Sequence, residues 1–475
     1  MRHKLFIGND WVEPAEGKYL PDIDPATEES TGEFARAGAP DVDRAVRAAA
    51  AAMHGPWQKL TPAERGGLLF KLADLVASAC EELAGLETQD MGKPLSQARG
   101  DIDGVVATLR YNAGAADKME GDTIPLGPEV IDFTLLEPLG VTAHIVPWNY
   151  PLGMAIRSLA PALAAGCTAV LKPAEESPLS ALKLGDLVRE AGFPAGVVNV
   201  LTGLGEETGD ALVRHAGVRG ISFTGSVETG RKILAAAAPG IKPAVLELGG
   251  KNPMIVFADA DIGRAVDDAL GASFENCGQV CSSASRYLLH PAVRDEFLDR
   301  LTEKAKMLRV GPGSADLDLG PVVSEQQYAR VTGYVAAGIS AGARLRLGGH
   351  RPRELQRGYF IEPTIFDRVE PEASIAREEI FGPVGIAIDI ENEEKALAIA
   401  NGLGYGLAAG IYSRDISRAL GLARRLETGT VWINGWWMGG VQAPTGGVKD
   451  SGIGRERGLA GIRNYLQIKN VAIRL

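Results

Sequence analysis

The chain has 475 residues, which at roughly 100–200 residues per domain predicts two or three domains. Its 49 basic and 60 acidic residues leave a net charge of −11, and such a surface does not attract the phosphate backbone of nucleic acids. Four cysteines are too few for a disulfide scaffold, and the sequence shows neither a signal peptide nor an apolar run of about 18 residues. We therefore expect a soluble cytoplasmic protein that binds neither nucleic acid nor a membrane.

The N-terminal part is predicted to form short strands followed by helices. Turn sequences near residues 9 and 24 divide the first 35 residues into strands. One helix is predicted from about Pro40. The next begins at a capping box, in which Thr61 caps backbone N–H groups, Pro62 suits the first helical position and Glu64 reaches back. Helical patterns then continue to about Lys118.

Between residues 141 and 248 the chain alternates apolar strands with helices. The predicted strands are Val141–Val146, Thr168–Lys172, Val197–Leu201, Gly220–Phe223 and Pro243–Leu248. The predicted helices are Leu152–Ala165, Leu179–Ala191 and residues 206–215 and 227–237. Parallel strands need such helical crossovers. The predicted fold class is therefore α/β, with a doubly wound parallel sheet that binds ligands at the carboxyl ends of its strands.

A second α/β section follows residue 250. Its predicted strands are Ser285–His290, Val384–Ile390, Leu407–Tyr412 and Thr430–Ile433, and its predicted helices include Glu393–Asn401 and Ile416–Leu426. The last residues, Tyr465–Leu475, alternate in polarity and are predicted to form a strand that pairs outside its own domain.

Two glycine loops follow predicted strands and precede predicted helices, around Gly205 and Gly225. Each presents free N–H groups and the positive end of a helix dipole, but neither has the G-x-G-x-x-G spacing. Each is therefore either a dinucleotide-binding turn or an ordinary strand–helix connection. The six histidines are scattered, and Cys277 and Cys281 lack the spacing of a zinc site, so no metal site is expected.

Three side chains stand where the sequence favours catalysis. Cys281 follows a Gly-Gln turn and is either a nucleophile or a buried structural cysteine. Glu247, between two leucines at a strand end, is either a general base or a ribose-binding acid, since it follows Gly225 by about 20 residues. Asn149 lies between two prolines and is either an oxyanion donor or a turn residue.

Six motifs occur together in order. They are Pro147-Trp148-Asn149-Tyr150-Pro151, Lys172-Pro173-Ala174-Glu175, Phe223-Thr224-Gly225-Ser226, Glu247-Leu248-Gly249-Gly250-Lys251, Gly278-Gln279-Val280-Cys281 and Glu379-Ile380-Phe381-Gly382-Pro383. With this set the chain resembles the NAD(P)-dependent aldehyde dehydrogenase superfamily, from about Phe6 to the C-terminus. The resemblance implies oxidation of an aldehyde to a carboxylic acid.

The resemblance also implies catalytic roles. Cys281 attacks the aldehyde carbon, and the Asn149 amide and the Cys281 backbone N–H hold the oxyanion. Glu247 activates the water that hydrolyses the resulting thioester, which places it as the base rather than the ribose acid. Glu456 matches a second acidic position near that base. A thiol esterase that uses Cys281 and Glu247 without a redox step is the alternative.

NAD is the cofactor that the resemblance implies. The matching positions are Val146, Pro147, Trp148, Lys172, Glu175, Gly205, Phe223, Gly225, Ser226, Leu248, Glu379 and Phe381. A carboxylate at Glu175 accepts hydrogen bonds from a ribose 2′-hydroxyl and repels a 2′-phosphate, so NADP is expected to be the poorer cofactor.

The resemblance further implies a domain plan. Residues 1–118 and 139–248 are expected to form the NAD-binding domain, and residues 249–450 the catalytic domain. Residues 119–138 and 451–475 are expected to form an oligomerisation arm and a C-terminal segment. A homodimer or homotetramer is the expected assembly.

The expected substrate contacts are Tyr150, Arg157, Val280, Ser282 and Trp436. Arg157 stands where many members have Trp, and its guanidinium matches the carboxylate of an acidic semialdehyde while repelling a betaine aldehyde. The aromatic residues favour an aromatic aldehyde instead. In a third interpretation Arg157 pairs with a carboxylate of the protein itself.

Overall fold

The computed structural model describes all residues, 1–475, as 21 strands and 16 α-helices. The strands are β1 Arg2–His3, β2 Leu5–Ile7, β3 Asp10–Val12, β4 Tyr19–Asp24, β5 Glu29–Ala35, β6 Thr123–Ile124, β7 Val130–Pro138, β8 Val141–Ile145, β9 Thr168–Lys172, β10 Val198–Val200, β11 Gly220–Thr224, β12 Ala244–Glu247, β13 Asn252–Val256, β14 Ala284–Leu289, β15 Arg344–Leu347, β16 Thr364–Asp367, β17 Val384–Asp389, β18 Ala408–Tyr412, β19 Thr430–Ile433, β20 Gly452–Ile453 and β21 Leu466–Arg474. The helices are α1 Ala39–Met53, α2 Pro56–Lys59, α3 Pro62–Ser78, α4 Cys80–Met91, α5 Leu95–Ala115, α6 Pro151–Ala165, α7 Leu179–Ala191, α8 Asp210–Arg214, α9 Val227–Ala237, α10 Ile262–Phe274, α11 Pro291–Lys306, α12 Glu325–Ser340, α13 Ser374–Arg377, α14 Glu393–Asn401, α15 Ile416–Ala423 and α16 Gly458–Arg463.

The first large sheet has eight strands in the order β20-β12-β11-β8-β9-β10-β2-β3. Its five central strands are parallel; β20 and β2 pair antiparallel with the two ends of this group, and β3 pairs antiparallel with β2. All residues of β8, β9 and β10 are buried, because helices cover both faces. The α/β class and the doubly wound parallel sheet are confirmed. The segment predicted as helix 206–215 forms a π-helical turn, Gly205–Gly209, followed by the short α8.

The second large sheet has seven strands in the order β15-β16-β17-β14-β13-β18-β19, and only β15 is antiparallel. The sequence did not predict its central strand β13. Pro253 in that strand argues against a central position, because proline donates no hydrogen bond to a neighbouring strand. The sheet accommodates it at a register shift between Asn252 and Pro253.

A smaller sheet of order β21-β7-β6 joins distant parts of the chain. The predicted C-terminal strand is present as β21, and each of its nine residues pairs with β7. The start of the predicted C-terminal segment 451–475 does not belong to this small sheet. Its strand β20 joins the first large sheet beside β12. The domain boundaries as a whole stay a prediction.

Candidate active site

One cavity of about 490 Å³ is lined by two of the three side chains that the sequence marked for catalysis, Cys281 and Glu247. It lies between α5, α6, the loop that carries Cys281 and the segment 437–445. Of the predicted residues, its walls include Cys281, Glu247, Tyr150, Arg157, Val280 and Ser282. Residues more than 130 positions apart in the sequence therefore line one space.

Cys281 follows a strained loop between α10 and β14. Asn276 and Cys277 take left-handed backbone angles, with φ of 50° and 55°. Gln279 fixes the loop, because its side chain donates to the Asn276 carbonyl at 3.0 Å and accepts from the Val323 N–H at 2.9 Å. Such strain persists only where the surroundings hold it, and it is common at active sites.

The thiol of Cys281 is mostly protonated at neutral pH. Burial raises its pKa to about 11, and the nearby Arg157 guanidinium partly opposes this effect. Attack on a carbonyl needs the thiolate, so the proton must pass to a neighbouring group.

Asn149 lies beside the cysteine loop, at the end of the segment that follows β8. Its side-chain amide donates to the Gln279 carbonyl at 2.9 Å, and its own carbonyl accepts from the Asn276 amide at 2.9 Å. The side chain is buried, and the residue is tied to the loop by one side-chain bond and one bond to its backbone carbonyl. One N–H of the amide is bound to the loop, and the other is free to stabilise an oxyanion.

Glu247 is the last residue of β12, at the carboxyl end of the parallel sheet. Burial and the neighbouring Glu456 carboxylate raise the pKa of Glu247 to about 8, and Arg157 opposes them. Gly446 makes room for it, since a Cβ at that position would lie 2.6 Å from Glu247 Oε1. A carboxyl group with a pKa near 8 is suited to general-base work.

Arg157 projects from α6 between two carboxylates. Its guanidinium forms an ion pair with Glu456, and Nη2 lies 3.8 Å from Glu247 Oε2. The structure therefore shows the third interpretation of this arginine, in which protein carboxylates compensate its charge. The sequence could not show this pairing, because Glu456 lies about 300 residues further along the chain.

The tryptophan at the cavity wall differs from the predicted one. Trp437 lines the cavity and donates from its indole N–H to Ser282 Oγ at 2.9 Å. Trp436, the expected contact, is buried behind the wall, where its indole donates to the Ser282 carbonyl at 3.1 Å and packs against Gly410. Consecutive side chains point in different directions, so the sequence alone could not show which of the two adjacent tryptophans faces the cavity.

A second group of predicted residues lies at the carboxyl ends of the parallel strands. Lys172 Nζ lies 2.6 Å from Glu175 Oε2, and the Gly205 N–H is 3.5 Å from Glu175 Oε1. Ser226 caps the N-terminus of α9 and accepts from the Thr229 N–H at 3.2 Å. The remaining predicted cofactor residues of this sheet, Val146, Pro147, Trp148, Phe223, Gly225 and Leu248, follow or end strands β8, β11 and β12.

Glu379 and Phe381 approach this region from the second large sheet. Glu379 Oε1 accepts from the Gly250 N–H at 3.0 Å, and burial raises its pKa to about 7. The Phe381 ring meets Trp148 edge-on, with centroids 5.3 Å apart. Gly249 leaves room for this carboxylate, because a Cβ there would lie 2.1 Å from Glu379 Oε2.

These groups fit a dinucleotide. The carboxylates of Glu175 and Glu379 are acceptors for ribose hydroxyls, and the N-terminus of α9 after Gly225 offers N–H groups to a pyrophosphate. The Gly225 N–H itself donates to the Glu247 carbonyl at 3.0 Å, which ties the cofactor turn to the catalytic strand.

The structure adds residues that the sequence argument did not single out. Asp101, Glu275 and Arg457 line the cavity, and no local motif marks them. Lys251 is fully buried near Glu379, its Nζ has no hydrogen-bond partner, and burial lowers its pKa to about 7. Lys251 belongs to a motif quoted above, so its position in that motif was an available signal.

The model of the aldehyde dehydrogenase family matches residues 11–471. An aldehyde dehydrogenase of Emericella nidulans is 45% identical over 473 residues, covering 99% of this chain and 95% of its own length. The chain belongs to the aldehyde dehydrogenase family. Betaine aldehyde dehydrogenase 1 of Oryza sativa subsp. japonica is also 45% identical, covering 99% of this chain and 95% of its own. The NAD+ complex of an aldehyde dehydrogenase from Bacillus cereus superposes with a TM-score of 0.98 at 42% identity, covering 100% of this chain and 97% of that one.

The resemblance stated from the motifs is thereby confirmed, as is the class of reaction. Aldehyde dehydrogenases oxidise an aldehyde to the carboxylic acid with NAD as hydride acceptor, and this chain is an enzyme of that kind. No helix has both the length and the apolar character needed to cross a bilayer, and no cluster of three or more potential metal ligands occurs.

Proposed function

We propose that this aldehyde dehydrogenase works through a covalent intermediate on Cys281. The observation that carries the proposal is the convergence of the Cys281 thiol, the Glu247 carboxylate and the Asn149 amide around one cavity and its loop. The thiolate attacks the aldehyde carbon, and the Asn149 amide and the Cys281 backbone N–H stabilise the oxyanion of the thiohemiacetal. Glu247 is the basic group at the same cavity that can accept the thiol proton.

NAD, when bound, accepts the hydride that leaves the thiohemiacetal carbon, and the product on Cys281 is a thioester. Lys172 and Glu175 hold the adenosine ribose in this proposal, and Glu379 holds the other ribose. Glu247 first releases the thiol proton to solvent; it then takes a proton from water, whose oxygen bonds to the thioester carbon, and passes that proton to the Cys281 sulfur. The carbon–sulfur bond breaks, Cys281 regains its thiol and the carboxylic acid leaves.

For the substrate we propose an aromatic aldehyde. Three aromatic side chains, Tyr150, Trp432 and Trp437, line the cavity and supply flat surfaces for ring stacking. Arg157 no longer supports an acidic semialdehyde as substrate, because its guanidinium is already paired with Glu456 and faces Glu247. Arg457 supports the acidic substrate as a second candidate, since it lines the cavity and forms no ion pair.

A panel of aldehydes tests this proposal. Purified enzyme with NAD should form NADH fastest with benzaldehyde-type substrates, more slowly with succinic semialdehyde and slowest with betaine aldehyde. Cys281→Ala should abolish NADH formation with all of them. Turnover of that variant at the wild-type rate would refute the mechanism, and a preference for succinic semialdehyde would transfer the substrate proposal to Arg457. Ester hydrolysis in the absence of any NADH formation would leave only the thiol esterase.

We also propose a homo-oligomer in the cytoplasm. Support for the assembly comes from the small sheet formed by β6, β7 and β21, whose outer face carries exposed apolar side chains. Support for the compartment comes from the four cysteines, all of which are free thiols.

A further inference from the structure

Three buried charged groups meet beside the catalytic cavity, and each comes from a different part of the fold. The side chains of Glu247 and Glu456 are each 5% exposed, and that of Arg157 is 12% exposed. Glu247 ends β12, Arg157 lies on α6 and Glu456 follows β20. Buried charges are costly unless they are paired, and the Arg157 guanidinium is the cation that lies between the two carboxyl groups.

Glu456 is firmly anchored by its backbone. Its N–H donates to the Thr445 carbonyl at 2.8 Å, and its carbonyl accepts from the Thr445 N–H at 2.9 Å. The Arg157 guanidinium contacts the Glu456 carboxylate closely and lies at the longer distance of 3.8 Å from Glu247. Glu456 therefore fixes the arginine, and the arginine faces the catalytic carboxylate.

The other charged groups around Glu247 are few. Arg455 and Arg457 flank Glu456 on the segment after β20, and Cys281 faces Glu247 from the cysteine loop. Arg455 directs its guanidinium to the backbone carbonyls of Gly447 and Gly454, at 2.9 and 2.7 Å. Arg157 is the one cation within 4 Å of the Glu247 carboxylate.

We propose that Arg157 is a positioning residue for the hydrolytic step: anchored by Glu456, its guanidinium holds Glu247 and stabilises the ionised form of that carboxylate. The inference rests on the proposed role of Glu247 as the base. In this proposal Arg157 recognises no substrate group. It instead keeps the buried base Glu247 able to take a proton from water.

The two partners of Glu247 act on its ionisation in opposite directions. Burial and the Glu456 charge raise the pKa of Glu247, and the Arg157 charge lowers it, with the result about 8. Arg157→Gln should therefore shift the pH profile of deacylation to higher pH, by about one unit or more. At pH 7 the deacylation rate should then fall roughly tenfold. Glu456→Gln removes the like charge and frees the arginine, so its profile should shift to lower pH.

The measurement is the pH dependence of 4-nitrophenyl acetate hydrolysis without cofactor, with the release of the acetyl group from Cys281 followed by intact mass. Arg157→Lys should restore most of the wild-type profile, because it retains the cation. The double variant Arg157→Gln/Glu456→Gln loses both opposing charges together. It should fold even if the single arginine variant does not, and its profile should lie near that of the wild type.

The proposal would be overturned if the pH profiles of deacylation of Arg157→Gln and Glu456→Gln shifted in the same direction, or if neither profile shifted. A tenfold rise in KM for succinic semialdehyde in Arg157→Lys with an unchanged profile would also overturn it, since that result assigns the arginine to substrate. Failure of the proposed function is separate: it would appear as acetyl transfer that does not need Cys281 or hydrolysis that does not need Glu247.

Discussion

The reactivity of a thiol depends on how much of it is ionised, and the cysteines of this chain differ in that respect. Burial raises the pKa of Cys281 to about 11, while Arg157 opposes the rise. Burial alone raises the pKa of Cys277 to about 12, and this residue lies behind the cavity wall. Cys281 is therefore the more reactive of the two thiols but is not a preformed thiolate.

Alkylation of the enzyme without cofactor tests this. Below a pKa of about 11 the thiolate fraction rises tenfold per pH unit, so iodoacetamide should modify Cys281 about a hundredfold faster at pH 9 than at pH 7. Peptide mapping should show Cys277 unmodified at both values. A rate of Cys281 alkylation that is constant between pH 7 and 9 would show that the thiol is already ionised, which contradicts a pKa of about 11.

A single carboxylate is expected to decide the choice between NAD and NADP. Glu175 lies 2.6 Å from Lys172 and would repel a 2′-phosphate. Glu175→Gln should raise kcat/KM for NADP at least severalfold and lower it for NAD. Glu206→Gln removes the same charge from the exposed surface of the neighbouring loop and should leave the ratio unchanged. Equal efficiency of the wild-type enzyme with both cofactors would contradict the expectation.

Single residues were predictable where a motif fixes both identity and position. The sequence identified Cys281, Glu247 and Asn149, and all three meet at one site. It could not decide whether Arg157 faces substrate or protein, because its partner Glu456 comes close only in the folded chain. The difference between Trp436 and Trp437 is one of side-chain direction, which residue identity does not encode.

Helix α3 shows that a short sequence signal can fix the start of an element. The Glu64 N–H donates to Thr61 Oγ1 at 3.3 Å, and the Thr61 N–H donates to Glu64 Oε2 at 2.7 Å. This reciprocal pair is the capping box that the sequence predicted. It satisfies N–H groups that the helix itself leaves without partners.

Removal of the cap should weaken the helix. Thr61→Ala should lower the free energy of unfolding by about 1 kcal/mol, seen as a lower urea midpoint with an unchanged slope. Thr332→Ala is the matched control, because Thr332 lies inside α12 and its hydroxyl bonds only to the Tyr328 and Ala329 carbonyls of its own helix turn. An equal loss in both variants would show that the cap itself contributes nothing.

The sequence missed strands β13, β15, β16 and β20, and the first of these has unusual local geometry. Periodicity located the five parallel strands of the first large sheet to within about two residues at each end. It missed β13, whose proline is tolerated at a register shift, and it merged the π-helical turn Gly205–Gly209 with α8. In both places tertiary contacts override the local pattern.

At the scale of the whole molecule, the small sheet of β6, β7 and β21 presents an uncovered apolar face. Ile131 and Ile473 pair across the strands and are each 44% exposed, and Leu135 on the same face is 43% exposed. Phe133 and Val471 lie between them and are half-buried. A second copy of the chain is the occupant that the family resemblance implies for this face.

Leu135→Asp should therefore dissociate the proposed homodimer or homotetramer. A charge on the apolar face is costly to bury in an interface, so light scattering after size exclusion should give a smaller mass than for the wild type. Met307→Asp is the control, since Met307 is 78% exposed on a different surface and its replacement should leave the mass unchanged. A wild-type enzyme with the mass of one chain would contradict the proposed assembly.

The proposed mechanism depends on a thioester at Cys281 that Glu247 helps to hydrolyse. The most direct test is the intact mass of Glu247→Gln after mixing with NAD and benzaldehyde. We predict a mass increase of one benzoyl group, mapped to Cys281, together with a burst of NADH that stops after about one turnover. The same treatment of Cys281→Ala should give no adduct. Steady turnover of Glu247→Gln at the wild-type rate without any adduct would contradict the account.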